Sequence, residues 1–83
     1  MCYVYILYSF ELDKYYVGHT CDTIKERMRM HLSNHSGFTS KTKDWIVVYS
    51  EPYTDKSTAY RREREIKAWK SRRLIVALIE TSE

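Results

Sequence analysis

Glu63 lies in a stretch whose apolar positions recur as Ala59, Ile66 and Trp69, which is the spacing of a helix face turned toward a core. Four residues after Ala59 and three before Ile66, its carboxylate falls on or beside that face. Burial there is costly unless the charge is paired or coordinates a cation. The plain structural reading is an ion pair with a nearby arginine; the functional one is a ligand for a metal ion. Glu65 points elsewhere and reads as a surface charge. Arg27 and His31 form an i,i+4 pair beside another apolar stripe, Ile24, Met28 and Leu32. Such an arginine can snorkel to solvent, or it can hold a phosphate oxygen. Two phenols complete the set, Tyr5 in Val4-Tyr5-Ile6 and Tyr16 in Tyr16-Val17-Gly18.

Other chemistries find less support. His19-x-Cys21 and His31-x3-His35 have zinc-like spacing, but Cys21 and His31 sit at opposite ends of one helical stretch, about 15 Å apart by helical rise. There is no glycine-rich phosphate loop, no Ser-His-Asp pattern, and no partner spacing that would activate Cys2 or Cys21 as a nucleophile.

These side chains need elements to position them. Cys2 to Ser9 alternates, with Val4, Ile6 and Tyr8 on one side and Tyr3, Tyr5 and Leu7 on the other. Glu11 to Lys14 is a turn, and Tyr15 to His19 is the return strand of a hairpin that sets Tyr5 and Tyr16 side by side. Gly18 in that strand marks a bulge, a bend, or open backbone beside Tyr16. Asp22 is placed to cap a helix over Thr23–Leu32. Ser33–Lys43 is a polar loop anchored by Phe38, long enough to suggest a functional surface. Trp45 to Tyr49 is apolar throughout and predicts a buried third strand stopped by Pro52. Thr54 or Asp55 caps a helix to about Trp69, and Ser71 caps a last one through Leu78 and Ile79. The fold class is α+β, a small three-stranded sheet flanked by helices in the order β-β-α-β-α-α.

Eighty-three residues predict one domain over 1–83 with a modest core. Two cysteines are too few for a disulfide scaffold, and no leader is evident, so the expected setting is the reducing cytoplasm. No run approaches the roughly 20 apolar residues that span a bilayer, so no membrane is expected as partner. The net charge is +3, yet seven basic residues against two glutamates make Arg61–Arg73 +5. That segment is either a solvated helix face or a stripe for a polyanion.

Together these residues resemble the GIY-YIG nuclease superfamily, in its small stand-alone branch related to the catalytic domain of the excision-repair incision nuclease. Val4-Tyr5-Ile6 carries the first motif, with valine for the usual glycine, and Tyr16-Val17-Gly18 the second. Arg27 and His31 match the helix-borne arginine and a polar residue one turn on. Ala59, Arg62-Glu63 and Ile66-Lys67-Ala68-Trp69 match the signature around the metal-binding glutamate. His19 stands where excision-repair members carry lysine.

The resemblance implies a DNA endonuclease that leaves 5′-phosphate and 3′-hydroxyl ends, with DNA repair as its setting. Glu63 would hold one Mg²⁺ or Mn²⁺ and Arg27 would clamp the scissile phosphate. Tyr16, supported by Tyr5, would orient water and take its proton; a free phenol near pKa 10 needs a nearby cation for that. His19 would accept a proton itself or tune Tyr16, and His31 would assist from the helix. With no attached targeting module, recognition would fall to Arg61, Lys67, Lys70, Arg72 and Arg73, which favour sugar–phosphate contacts. Branched, nicked or plain duplex DNA would be cut with structural or weak sequence selectivity, alone, as a homodimer, or through a protein partner. The alternatives are a catalytically weak or inactive nucleic-acid-binding module of the same fold, and a domain whose basic stripe binds an acidic protein.

Overall fold

A computed structural model describes residues 1–32 and 42–81, without the side chain of His31. Most of the expected Ser33–Lys43 loop, including His35 and Phe38, lies outside the described residues. The elements are β1 (Cys2–Ser9), β2 (Lys14–Thr20), α1 (Ile24–Leu32), β3 (Ile46–Tyr53), α2 (Lys56–Trp69) and α3 (Arg72–Glu80), in the order expected.

The sheet is antiparallel, ordered β2-β1-β3, so the most apolar strand is central. Alternation along β1 feeds two cores, one on each face of the sheet. Val4 and Ile6 join Val17, Ala59 and Ile66 on the side covered by α2 and α3. Tyr5 and Leu7 join Trp45 on the other side, where Ile24, Met28 and Leu32 of α1 pack. The molecule is thus three layers, with Arg27 and Glu63 on helices that cover opposite faces.

The β1–β2 register pairs Tyr5 with Gly18 and Tyr3 with Thr20. One step further along this ladder, at the open end of the hairpin, Cys2 and Cys21 are joined in a disulfide. This departs from the expectation of unpaired thiols: the strand register brings together cysteines 19 residues apart, which spacing alone does not reveal. The cytoplasmic expectation leaned on reduced cysteines, and that support falls away. At the closed end Asp13 takes a left-handed conformation (φ 52°), which a short polar side chain tolerates.

Three local expectations are corrected. Thr23, rather than Asp22, caps α1, its hydroxyl oxygen accepting the Glu26 N–H at 3.1 Å. The third strand is an edge, not a buried strand, and Ile46 and Val47 remain exposed. Pro52 does not stop it but pairs with Tyr3 inside β3, because an edge strand has an outer side on which a missing N–H is harmless. The remaining caps are as read: Asp55 accepts the Thr58 N–H at 2.8 Å and Ser71 the Leu74 N–H at 3.3 Å.

Candidate active site

The free edge of β2 is where the two faces of the sheet can meet. Tyr5 and Tyr16 lie on the α1 side of the sheet, and His19, one residue past Gly18, faces the α2 side. Around this edge Tyr5, Tyr16, His19, Arg27, Lys56 and Glu63 line one open cavity of about 440 Å³. Two helices from opposite layers therefore deliver a guanidinium and a carboxylate to one place.

Gly18 makes this possible, though not by exposing backbone next to Tyr16. A β-carbon there would lie 2.6 Å from the Tyr5 hydroxyl oxygen, so the missing side chain is the space Tyr5 occupies. Tyr5 is 2% exposed. Burial raises its pKa well above the usual phenol range; neighbouring Tyr16 and Glu63 add to the rise and Arg27 opposes it. Its hydroxyl stays protonated at neutral pH and can donate a hydrogen bond.

Glu63 is 8% exposed on the stripe of Ala59 and Ile66, as its spacing predicts. Its partners are not the expected arginine. His19 Nδ1 contacts Oε1, and Lys67 Nζ lies 2.6 Å from Oε2. Contact through Nδ1 places a hydrogen there when the imidazole donates to the carboxylate. Lys67 also stands 5.8 Å from the Tyr16 ring centroid, so one ammonium sits beside both the carboxylate and the phenol. Arg27 carries the one buried side-chain nitrogen, Nε, that has no hydrogen-bond partner among the described residues. A buried guanidinium N–H without an acceptor is costly, and an anionic oxygen in the cavity would satisfy it.

The expected basic stripe is divided. Lys67 is drawn into the site. Arg62 turns to β3, with Nε 3.0 Å from Glu51 Oε1. Arg72 binds the hairpin turn, Nη2 to Asp13 Oδ1 at 2.6 Å, and lies over the Tyr15 ring. Lys70 caps α2 in a left-handed conformation near Tyr15, and Arg73 is exposed. Arg61 and Arg64 border a cleft at the start of α2. His31 lies on α1, but its side chain is outside the described residues. Lys56 had no role in the sequence reading, and Lys67 was expected on the nucleic-acid surface, not as a partner of Glu63. Lys67 as partner of Glu63 was legible in their i,i+4 spacing; Lys56 reaches the cavity through tertiary packing and left no sequence signal.

The model of the GIY-YIG catalytic domain matches residues 1–75. The chain belongs to the GIY-YIG superfamily. No curated protein and no solved structure matches it in the corresponding comparisons. In this GIY-YIG chain both motif tyrosines and the signature glutamate line the same cavity, and the superfamily is one of nucleases. No helix among the described residues is long and apolar enough to cross a membrane.

The donor set also bears on a metal. Among the described residues no three His, Cys, Asp or Glu side chains converge into a cage. A hard cation of the Mg²⁺ type fits such a site, since it needs one or two carboxylates and otherwise water and phosphate oxygens. Glu63 supplies one carboxylate on the cavity wall.

Proposed function

We propose that this GIY-YIG domain is a divalent-metal-dependent endonuclease that hydrolyses DNA phosphodiester bonds to 5′-phosphate and 3′-hydroxyl ends. The observation that carries this reading is the convergence of Glu63, Arg27 and the two tyrosines on one open cavity at the β2 edge. Arg27 donates to a non-bridging oxygen of the scissile phosphate and thereby satisfies its buried Nε. Lys56 adds positive charge at the same wall. Tyr5, held protonated, donates a hydrogen bond that orients the phosphate or the attacking water. Tyr16, as the phenolate, takes the proton of that water as the water oxygen bonds to phosphorus and the bond to the 3′ oxygen breaks, the departing 3′ oxygen taking a proton from solvent. Lys67 places positive charge beside Tyr16, while His19 and Lys67 hold the Glu63 carboxylate in position. Glu63 would hold a single Mg²⁺ or Mn²⁺, which when bound stabilises charge on the phosphoryl group and the leaving oxygen.

One observation favours the second reading, a weak or inactive DNA-binding module. His19 and Lys67 already engage both oxygens of Glu63, so its own neighbours compete for the carboxylate. Nicking of branched, flapped and plain duplex DNA with Mg²⁺ or Mn²⁺ separates the two. Wild type should cut, and Glu63→Ala, Arg27→Ala and Tyr16→Phe should each lower the rate by about 10²–10⁴-fold. Binding without cleavage under either metal, with the variants indistinguishable from wild type, would leave only the binding module.

A further inference from the structure

Tyr60 is 48% exposed on the first turns of α2, where a large aromatic side chain gains little from the core. Its ring lies 5.4 Å from the His19 ring and has the Arg64 guanidinium 5.8 Å from its centroid. Three clefts follow one another here, the second and third sharing Tyr60. The catalytic cavity includes His19 and Lys56. The next cleft, about 500 Å³, is formed by His19, Lys56, Ser57 and Tyr60, and its walls are mostly carbon. The third is bordered by Ser57, Tyr60, Arg61, Arg64 and Glu65, whose carboxylate is paired with Arg62. Along this track the surface alternates: cations at the cavity, an aromatic and apolar seat beside it, then two more cations.

A nucleic acid strand with an unstacked base has the same alternation of phosphate, apolar base and phosphate. Aromatic rings flanked by basic side chains are how proteins hold such strands, and each stacked base contributes about 1–3 kcal/mol. A base paired within a duplex offers only its edges and could not lie on Tyr60. We propose that Tyr60 is the platform for one unpaired nucleobase next to the scissile phosphate, with Lys56 on one flanking phosphate and Arg61 and Arg64 on the other. Resting on the nuclease reading above, this narrows the substrate to DNA with at least one unpaired nucleotide beside the cut, such as a flap or a gap. Arg64 then exchanges the Tyr60 ring for a phosphate, a small rotation for a long exposed side chain.

Binding tests the seat without requiring cleavage. Fluorescence titrations would use DNA carrying 2-aminopurine as a single unpaired nucleotide at a flap junction, with fully paired duplex and a flap bearing an abasic nucleotide as references. Wild type should prefer the flap over both and quench the 2-aminopurine on binding. Tyr60→Ala should weaken flap binding by about 5- to 150-fold and leave duplex and abasic binding nearly unchanged, while Tyr60→Phe should behave as wild type. Equal losses of Tyr60→Ala on all three DNAs, no preference in wild type, or a Phe variant as damaged as Ala would each overturn the platform. A protein that shows the Tyr60-dependent preference but cuts nothing keeps the platform and loses the nuclease. Cutting that is indifferent to Tyr60 and to base pairing keeps the nuclease and loses the platform.

Discussion

A β-carbon on Gly18 would lie 2.6 Å from the Tyr5 hydroxyl oxygen and 2.8 Å from the ring carbon that bears it. Tyr5 sits in a packed layer with Leu7 and Trp45 and cannot swing away as an exposed side chain would. Gly18→Ala should therefore destabilise the fold by about 1–3 kcal/mol, the usual cost of overpacking, as measured by urea unfolding. Removing only the hydroxyl with Tyr5→Phe should restore part of that loss in the double variant, since the nearest clash is with that oxygen. Simple addition of the two single effects would show that the residues do not touch. The sequence marks Gly18 as special but not why, because the crowding comes from a strand partner 13 positions away. Glu63 was the opposite case. A carboxylate on the stripe of Ala59 and Ile66 is anomalous within its own helix, so its burial could be read directly. Its partners could be read only in part: Lys67 lies one turn away, whereas His19 is 44 residues distant.

At the scale of elements, the hairpin, the three helices and two of their caps follow from local pattern, whereas the status of β3 does not. A continuous apolar run fits a central strand or an edge covered on one side, and only sheet order decides between them. Val48, Tyr49 and Tyr53 pack on the core that Ala59 and Ile66 of α2 share, and a polar cluster adds to that contact. The Tyr49 and Tyr53 hydroxyls donate to the Glu51 carboxylate, the latter at 2.7 Å, and Arg62 donates to both of its oxygens at 3.0 and 3.2 Å. Burial alone would raise the Glu51 pKa, but the Arg62, Tyr49 and Tyr53 hydrogen bonds outweigh it and hold the carboxyl below its ordinary 4.5. Its contribution to stability is thus full above about pH 4.5 and is lost as pH falls through the lowered value. Tyr49 acts at the other end. Burial, with help from Glu51, pushes it up to about 12 from 10.0, so its contribution is full below pH 10.0 and lost as pH rises toward about 12. Glu51→Gln should cost about 1–3 kcal/mol near neutrality. That difference should shrink on acidification and flatten the acid limb of the stability curve. Parallel limbs in the two proteins would mean that Glu51 titrates alike in the folded and unfolded chains.

For the whole molecule, a net charge of +3 says less than which cations remain available to a phosphate backbone. Arg29 is spent on Glu26, Arg62 on Glu51 and Glu65, Lys67 on Glu63, and Arg72 on Asp13. Arg61 and Arg64 border the cleft beside the candidate site, and Lys70 and Arg73 are exposed at the other end of the segment, so the positive charge open to a phosphate backbone divides between the start of α2 and the α2–α3 junction. Each phosphate contact releases counterions and adds about 0.7–0.9 to the slope of log K against log salt. Replacing Arg61 and Arg64 together with glutamine should therefore lower that slope by roughly 1–2 units. Arg72→Gln should leave it nearly unchanged while loosening the hairpin turn, because its guanidinium bonds both the Asp13 carboxylate and the Asp13 carbonyl. Salt titrations of the three proteins on one DNA make the comparison. If Arg72→Gln flattens the slope and the Arg61/Arg64 variant does not, the DNA runs over the α3 end of the molecule, and the approach to the β2-edge cavity must be sought from that side.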